Sequence, residues 1–242
     1  MTEILFLALV FLMAILYSSV GHGGASGYLA LMALFSFSPE FMRPSALVLN
    51  IFVSSISFFS YYRNGHFRLK LLLPFILTSV PFAFLGGAIT VNPKMYKVIL
   101  GIFLIIAIAR MIYQPKNQIN ENKNVNKFAA YGIGILLGFF SGLIGIGGGI
   151  ILSPIIILLK WGTMKETAAV SAAFILVNSV SGLTGQISQG IQLAPEIGFM
   201  LTAAILGGII GSYMGSYKIT EKALKYALSA VLTFASFKLL FL

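Results

Sequence analysis

The chain has 242 residues, 58% of them hydrophobic and 9% charged, and a net charge of +10 from 16 Lys and Arg against six Glu, with no Asp and no Cys. A soluble domain is about 25% charged, so that class is excluded; the missing cysteines exclude disulfides, thiolate metal sites and cysteine nucleophiles. Continuous apolar runs exclude a transmembrane β-barrel, whose strands alternate over about ten residues.

What remains is an all-α polytopic protein, multi-pass in the cell membrane. Met1-Thr2-Glu3-Ile4 carries no basic residue, so the first apolar segment is expected to be retained rather than cleaved as a signal. That segment, Ile4–Val20, runs into Gly21-His22-Gly23-Gly24 and then into Ala25–Phe37. Glycine is a poor helix former, so the cluster interrupts the helix. A continuous helix over residues 4–37 would be about 51 Å long, too long for one crossing of ~30 Å of hydrocarbon and short for two. The spacing predicts a re-entrant hairpin or discontinuous helix with the glycines at its tip. Three longer spans follow, near Pro44–Tyr62, Leu71–Val91 and Met95–Tyr113.

Residues 114–127 are polar and Asn-rich and read as a linker. The pattern then recurs: Phe128–Ile144, a second cluster Gly145-Ile146-Gly147-Gly148-Gly149, then Ile150–Leu159. Spans near Thr167–Ser188, Pro195–Tyr217 and Ala223–Leu242 complete it. Gly21 and Gly145 are 124 residues apart, as are Leu77-Thr78 and Leu201-Thr202; Ser54 and Ser179, and Gly65 and Gly190, are 125 apart. The chain therefore reads as a first repeat (1–113), a cytoplasmic linker (114–127) and a second repeat (128–242), with about eight to ten membrane segments in all.

Loop charge orients the halves. The loop Arg63–Lys70 is basic, and its counterpart Ser188–Pro195 carries no charge. The positive-inside rule puts the first in the cytoplasm and the second outside, so the halves are expected to be inverted. The linker and the basic loop at 218–225 then fall inside, and both termini outside. Lys94, Lys97 and Lys238 run against this bias. Eight ordinary spans in two parallel halves are the competing arrangement.

The six acids, Glu3, Glu40, Glu121, Glu166, Glu196 and Glu221, lie at segment ends or in loops. Ion-coupled transporters commonly keep acids within the membrane, so a carboxylate proton relay and a cation site are both disfavoured. A glycine break instead leaves bare N–H groups at the next helix start, where anions bind without a basic side chain. Inverted-repeat transporters aim two such ends at one midplane site. The candidate binding residues are Gly21, His22, Gly23, Gly24, Ser26 and Asn50 in the first half. In the second they are Gly145, Gly147, Gly148, Gly149, Asn178 and Ser181. Each has a plainer reading: glycines pack helices closely, serines bond their own helix carbonyls, and a buried amide needs several partners wherever it sits. His22 is the one titratable side chain expected within the membrane. It reads as a helix-end cap or as a proton acceptor, histidine having a reference pKa of about 6.5. Arg43 with Glu40, and Lys165 with Glu166, read as interface anchors; Trp161 and Tyr61-Tyr62 read as an aromatic belt.

The run Ser141-Gly-Leu-Ile-Gly-Ile-Gly-Gly-Gly-Ile-Ile-Leu-Ser-Pro154 resembles the signature of the sulfite exporter TauE/SafE family. Tyr17-Ser-Ser-Val-Gly-His-Gly-Gly-Ala-Ser-Gly-Tyr28 is its first, weaker copy, with His22 at an apolar position and Ala25 for the third consecutive glycine. The resemblance covers essentially the whole chain. It implies a plasma-membrane transporter that moves small sulfur anions such as sulfite, thiosulfate or sulfoacetate, usually outward. The expected function is a secondary transporter working by alternating access. A channel-like or structural membrane component is the alternative, and an enzyme is disfavoured because intramembrane acids, cysteines and paired histidines are missing. No catalytic residue, metal or cofactor is expected. The expected partners are a small inorganic or organosulfur anion and membrane lipids, with no nucleic acid; a homodimer stays open.

Overall fold

The computed structural model describes residues 2–112, 123–214, 233 and 236–241. Among these the chain is helical, without strands: α1 (Thr2–Ser18), α2 (Ala25–Leu34), α3 (Pro39–Arg63), α4 (Leu69–Ala88), α5 (Pro93–Ile112), α6 (Lys127–Ile144), α7 (Gly149–Leu158), α8 (Met164–Ser188) and α9 (Ile197–Met214). Residues 236–241 are also helical. Helices α3, α4, α6 and α8 are long and apolar enough to cross a membrane, and α2 and α7 are shorter apolar pieces. The expected linker core (114–122), the basic loop at 218–225 and most of the last span lie outside the described residues.

Each glycine cluster breaks a hairpin. Phe6 in the second turn of α1 packs on Phe35 and Phe37 just past α2, with ring centroids 5.0 and 5.1 Å apart. The two arms therefore return to one end of the molecule. Helices α3 and α8 begin before the apolar runs that predicted them, while α4 ends at Ala88, three residues short of its run. Helix α3 begins at Pro39 after Ser38, with proline in its first turn, where a missing N–H costs nothing. Helix α8 begins at Met164 under a capping box formed by Thr163 and Glu166, which satisfies two orphan donors reciprocally. Glu40, Arg43, Lys165 and Glu166 thus fall inside helices.

The halves share one plan. Helices α2 and α7 have ten residues each, and α3 and α8 have 25 each. Left-handed residues recur in register at Gly21 and Gly145, Gly24 and Gly148, Ser36 and Lys160, and Gly65 and Gly190. The packing pairs interchange when the halves are exchanged: α4 lies on α6 as α9 lies on α1, α4 on α8 as α9 on α3, and α3 lies on α8 itself. That central pair runs in opposite directions. Gly21 sits beside both Tyr61, near the end of α3, and Ala168, near the start of α8.

Glycines make the closest helix contacts. Gly134, Gly138 and Gly142 recur every fourth residue along one face of α6, and a Cβ on any of them would overlap the backbone of α4 at Phe75, Ser79 or Ala83. Close backbone approach of this kind is how membrane helices gain packing where the hydrophobic effect gives no help. Large apolar side chains such as Ile4, Phe128 and Phe199 stay exposed around the outside, as a surface facing hydrocarbon requires. Trp161 departs from the expected belt: it is buried and packs on Phe75 at 6.1 Å.

Basic residues gather at one end. Arg68 pairs with Glu166 at 3.3 Å, and the Lys123 N–H donates to the Lys160 carbonyl at 2.7 Å. This joins the loop after α3, the start of α6, the end of α7 and the start of α8, and with them Arg63, Lys70, Lys127 and Lys165.

Candidate functional site

The short helices start at glycines held in the left-handed region, Gly24 at φ 95° for α2 and Gly148 at φ 72° for α7. Only glycine adopts this backbone without strain. Neither of these residues supplies a side-chain cap. Both hairpin tips meet at the centre of the α3–α8 pair. A Cβ on Gly23 or on Gly147 would fall against the same two side chains, Asn50 and Ile175. Asn50 is the twelfth residue of α3 and Ile175 the twelfth of α8, each one residue from its helix midpoint.

The crossing is asymmetric. Asn50 is fully buried. Its Oδ1 accepts the N–H of Ala25, the first residue of α2, at 3.0 Å, and its Nδ2 donates to Ser179 Oγ at 3.4 Å. One amide thereby ties the first hairpin tip to both central helices. At the equivalent start of α7, a Cβ on Gly149 would fall against the Ile175 side chain.

His22 links the first tip to the second half. Its Nδ1 lies 3.0 Å from the Val20 carbonyl and its Nε2 lies 3.0 Å from Ser153 Oγ on α7. Ser153 Oγ also lies 2.7 Å from Ser171 Oγ on α8 and 3.1 Å from the Gly149 carbonyl. A carbonyl only accepts, so Nδ1 carries a hydrogen. In the neutral ring Nε2 is then an acceptor toward the Ser153 hydroxyl.

The sequence-predicted residues divide. The structure brings Gly23, Asn50, Gly147 and Gly149 together at the crossing, starts the short helices at Gly24 and Gly148 and ties His22 to α7; Gly21 lies toward the end of α3 beside Tyr61, and Gly145 toward its start beside Arg43. Ser26 is turned to Tyr17, at 2.8 Å between hydroxyl oxygens. Ser181 donates to the Val80 carbonyl on α4 at 2.6 Å. Asn178 donates to Phe174 on its own helix at 2.8 Å, with its Oδ1 buried and unpartnered. None of these three bonds reaches the crossing. Ser153, Ser171 and Ile175 were not singled out, although Ser153 stands within the glycine signature, four residues after Gly149. Arg43 is no interface anchor. It is 5% exposed, and its Nη2 donates to the Gly87 and Ile89 carbonyls at 3.4 and 3.2 Å. The outward-facing carbonyls at the end of α4 draw the cation inward. Among the described residues no three His, Asp or Glu side chains converge as metal ligands would.

The profile of the family described as "Sulfite exporter TauE/SafE" matches residues 6–239. A probable membrane transporter protein of Sinorhizobium fredii is 35% identical over 244 residues, covering 99% of each chain. A probable membrane transporter protein of Methanocaldococcus jannaschii is 30% identical over 189 residues, covering 72% of this chain and 68% of that one. No solved structure matches.

Proposed function

The chain belongs to the sulfite exporter TauE/SafE family, and on that premise we propose that this multi-pass membrane transporter carries a small sulfur oxyanion or organosulfonate by alternating access between two inverted halves. The observation that carries the reading is the meeting of two glycine-tipped helix starts at Asn50 and Ile175, halfway along the central helices. Broken helices aimed at one central point are the arrangement in which inverted-repeat transporters hold their substrates. The N-cap of α7, Gly148, supplies no side-chain cap, and a helix start favours negative charge. The acids described on helices at Glu3, Glu40 and Glu166 lie in first turns, so no described helix carries an acid at its middle to repel an anion.

Inversion is supported by the opposite course of α3 and α8, which are equivalent members of the two halves. Orientation is supported by the basic end that gathers Arg63, Arg68, Lys70, Lys123, Lys127, Lys160 and Lys165, which the positive-inside rule places in the cytoplasm. With that end inside, the start of α3 and Arg43 stand in the outer half of the membrane. Export then needs no coupled proton, because about 2.3 kcal/mol per charge per 100 mV already drives an anion out of a cell that is negative inside.

Thermal unfolding of the purified protein tests the reading. Sulfite, thiosulfate, sulfoacetate and sulfate are each titrated against chloride at matched ionic strength. At least one sulfur anion is expected to raise the melting temperature saturably, since a ligand at 100 times its Kd stabilises by about 2.7 kcal/mol. If all four behave as chloride does, the substrate class is wrong.

A further inference from the structure

We propose that Arg43 is a second recognition point for the transported oxyanion, set between the outer face and the central crossing. The proposal rests on the anion-transport reading above. Arg43 carries a guanidinium into a site where only 5% of the residue is exposed. Its Nη2 is fixed on the last carbonyls of α4, while its Nε is buried with no partner. The ion pair found among the described residues is Arg68 with Glu166, not one to Arg43. Glu40, three residues before Arg43, attracts the guanidinium through space, but it is exposed and makes no ion pair with it. The nearby Tyr96 hydroxyl donates elsewhere, to the Ile144 carbonyl at 3.0 Å.

A buried cation whose nearest carboxylate stays out in solvent is expensive. The carbonyls of a helix end offset only part of that cost, since they amount to about half a charge. A guanidinium presents paired N–H groups in a planar fork that matches oxyanion geometry. With one amino group already anchored, the remaining edge is oriented before any ligand arrives.

A second buried side chain is anchored on backbone that packs against the Gly87 segment. Gln186 donates from Nε2 to the Gly142 carbonyl at 3.3 Å, and its Oε1 is buried without a partner. Gly142 packs against the backbone of Gly87, the residue whose carbonyl holds Arg43. A free donor and a free acceptor are thus anchored on adjoining backbone, and an oxyanion that keeps one hydrogen satisfies both. Arg43 also precedes Asn50 by seven residues, so both lie on one face of α3, about 10 Å apart along its axis. The Arg43 main chain abuts Gly145 at the tip of the second hairpin. In the other half the positions equivalent to Arg43 and Gln186 are Ala168 and Tyr61, both beside Gly21 and both uncharged. A buried cation next to a hairpin tip therefore belongs to one of these two equivalent places and not the other.

A purely structural role, capping α4, would be served as well by lysine, which keeps the charge and loses the fork. The full-length protein in nanodiscs is titrated with sulfite, and the midpoint of thermal stabilisation is read for wild type, Arg43→Gln and Arg43→Lys. Arg43→Gln is expected to need at least about tenfold more sulfite, the usual worth of a charge-assisted hydrogen bond, and Arg43→Lys several-fold more, with the unliganded melting temperature of Arg43→Lys unchanged. Should Arg43→Gln not fold, Arg43→Lys decides. A midpoint equal to wild type in the variant that folds overturns the role of Arg43 and leaves the transport reading standing. A wild type that no oxyanion stabilises removes the transport reading, and this proposal with it.

Discussion

Asn50 holds three elements with one side chain: its own helix, the first N–H of α2 and Ser179 on α8. Asn50→Ala leaves the Ala25 N–H and the Ser179 hydroxyl without that partner in a site sealed from water. Each lost partner in such a place costs about 1–3 kcal/mol. Thermal unfolding of Asn50→Ala should therefore drop by several degrees, and anion uptake into liposomes should fall further than stability alone explains. A variant that melts and transports as wild type does would leave Asn50 with neither role. The amide was legible in the sequence because it is costly in lipid without partners. Ser26 and Ser181 carry the same polar signal but spend it on helix packing, and residue type alone does not say which face a hydroxyl takes. Arg43 was misread for a related reason. Charge close to a span end normally reaches the interface, and the carbonyls of Gly87 and Ile89 that hold it inward lie more than forty residues away.

The hairpins were the most legible elements. A glycine cluster, a segment too long for one crossing and a repeat spacing of 124 together left little else for residues 4–37 and their counterparts to form. The ends of the long helices were less legible, because hydropathy marks the part of a helix facing hydrocarbon, while Ser38-Pro39 and Thr163 mark where its hydrogen bonds begin. Glycine also has two uses in this chain that composition does not separate. Those at the tips turn the backbone; those at Gly134, Gly138 and Gly142 let α6 lie against α4. Gly142→Val places a branched side chain where the Ala83 carbonyl already stands. The two helices must part or shift, at a cost of about 1–3 kcal/mol or more. The expected result is a lower melting temperature and poor recovery of folded protein, checked by size exclusion and thermal unfolding. Gly132 has open space around its Cβ position, so Gly132→Ala is the control that should fold as wild type does.

The arrangement of the whole molecule makes a sided prediction. With the basic end in the cytoplasm, a cysteine at Asn64 and one at Ser188 belong to opposite faces. The chain has no cysteine of its own, so each single variant reports without background. Ser188→Cys in intact cells should react with a membrane-impermeant maleimide, and Asn64→Cys only after permeabilisation. Labelling of both from the same side would make the halves parallel and end the inverted reading. Repeat and loop charge were enough to pose this question from the sequence. The pairing of Arg68 with Glu166, and of Lys123 with Lys160, adds what a linear string cannot show, that separate basic loops share one end.

The crossing of α3 and α8 has a consequence for how such a protein can be assembled. Residues at equivalent positions meet there, and they differ: an amide on one side and an alkane on the other. Two identical half-length chains could bring only a matched pair to that point, two asparagines or two isoleucines. Covalent fusion of the halves lifts this constraint, because each copy can then change alone. The unlike pair at the centre is a property that a symmetric homodimer of halves could not have.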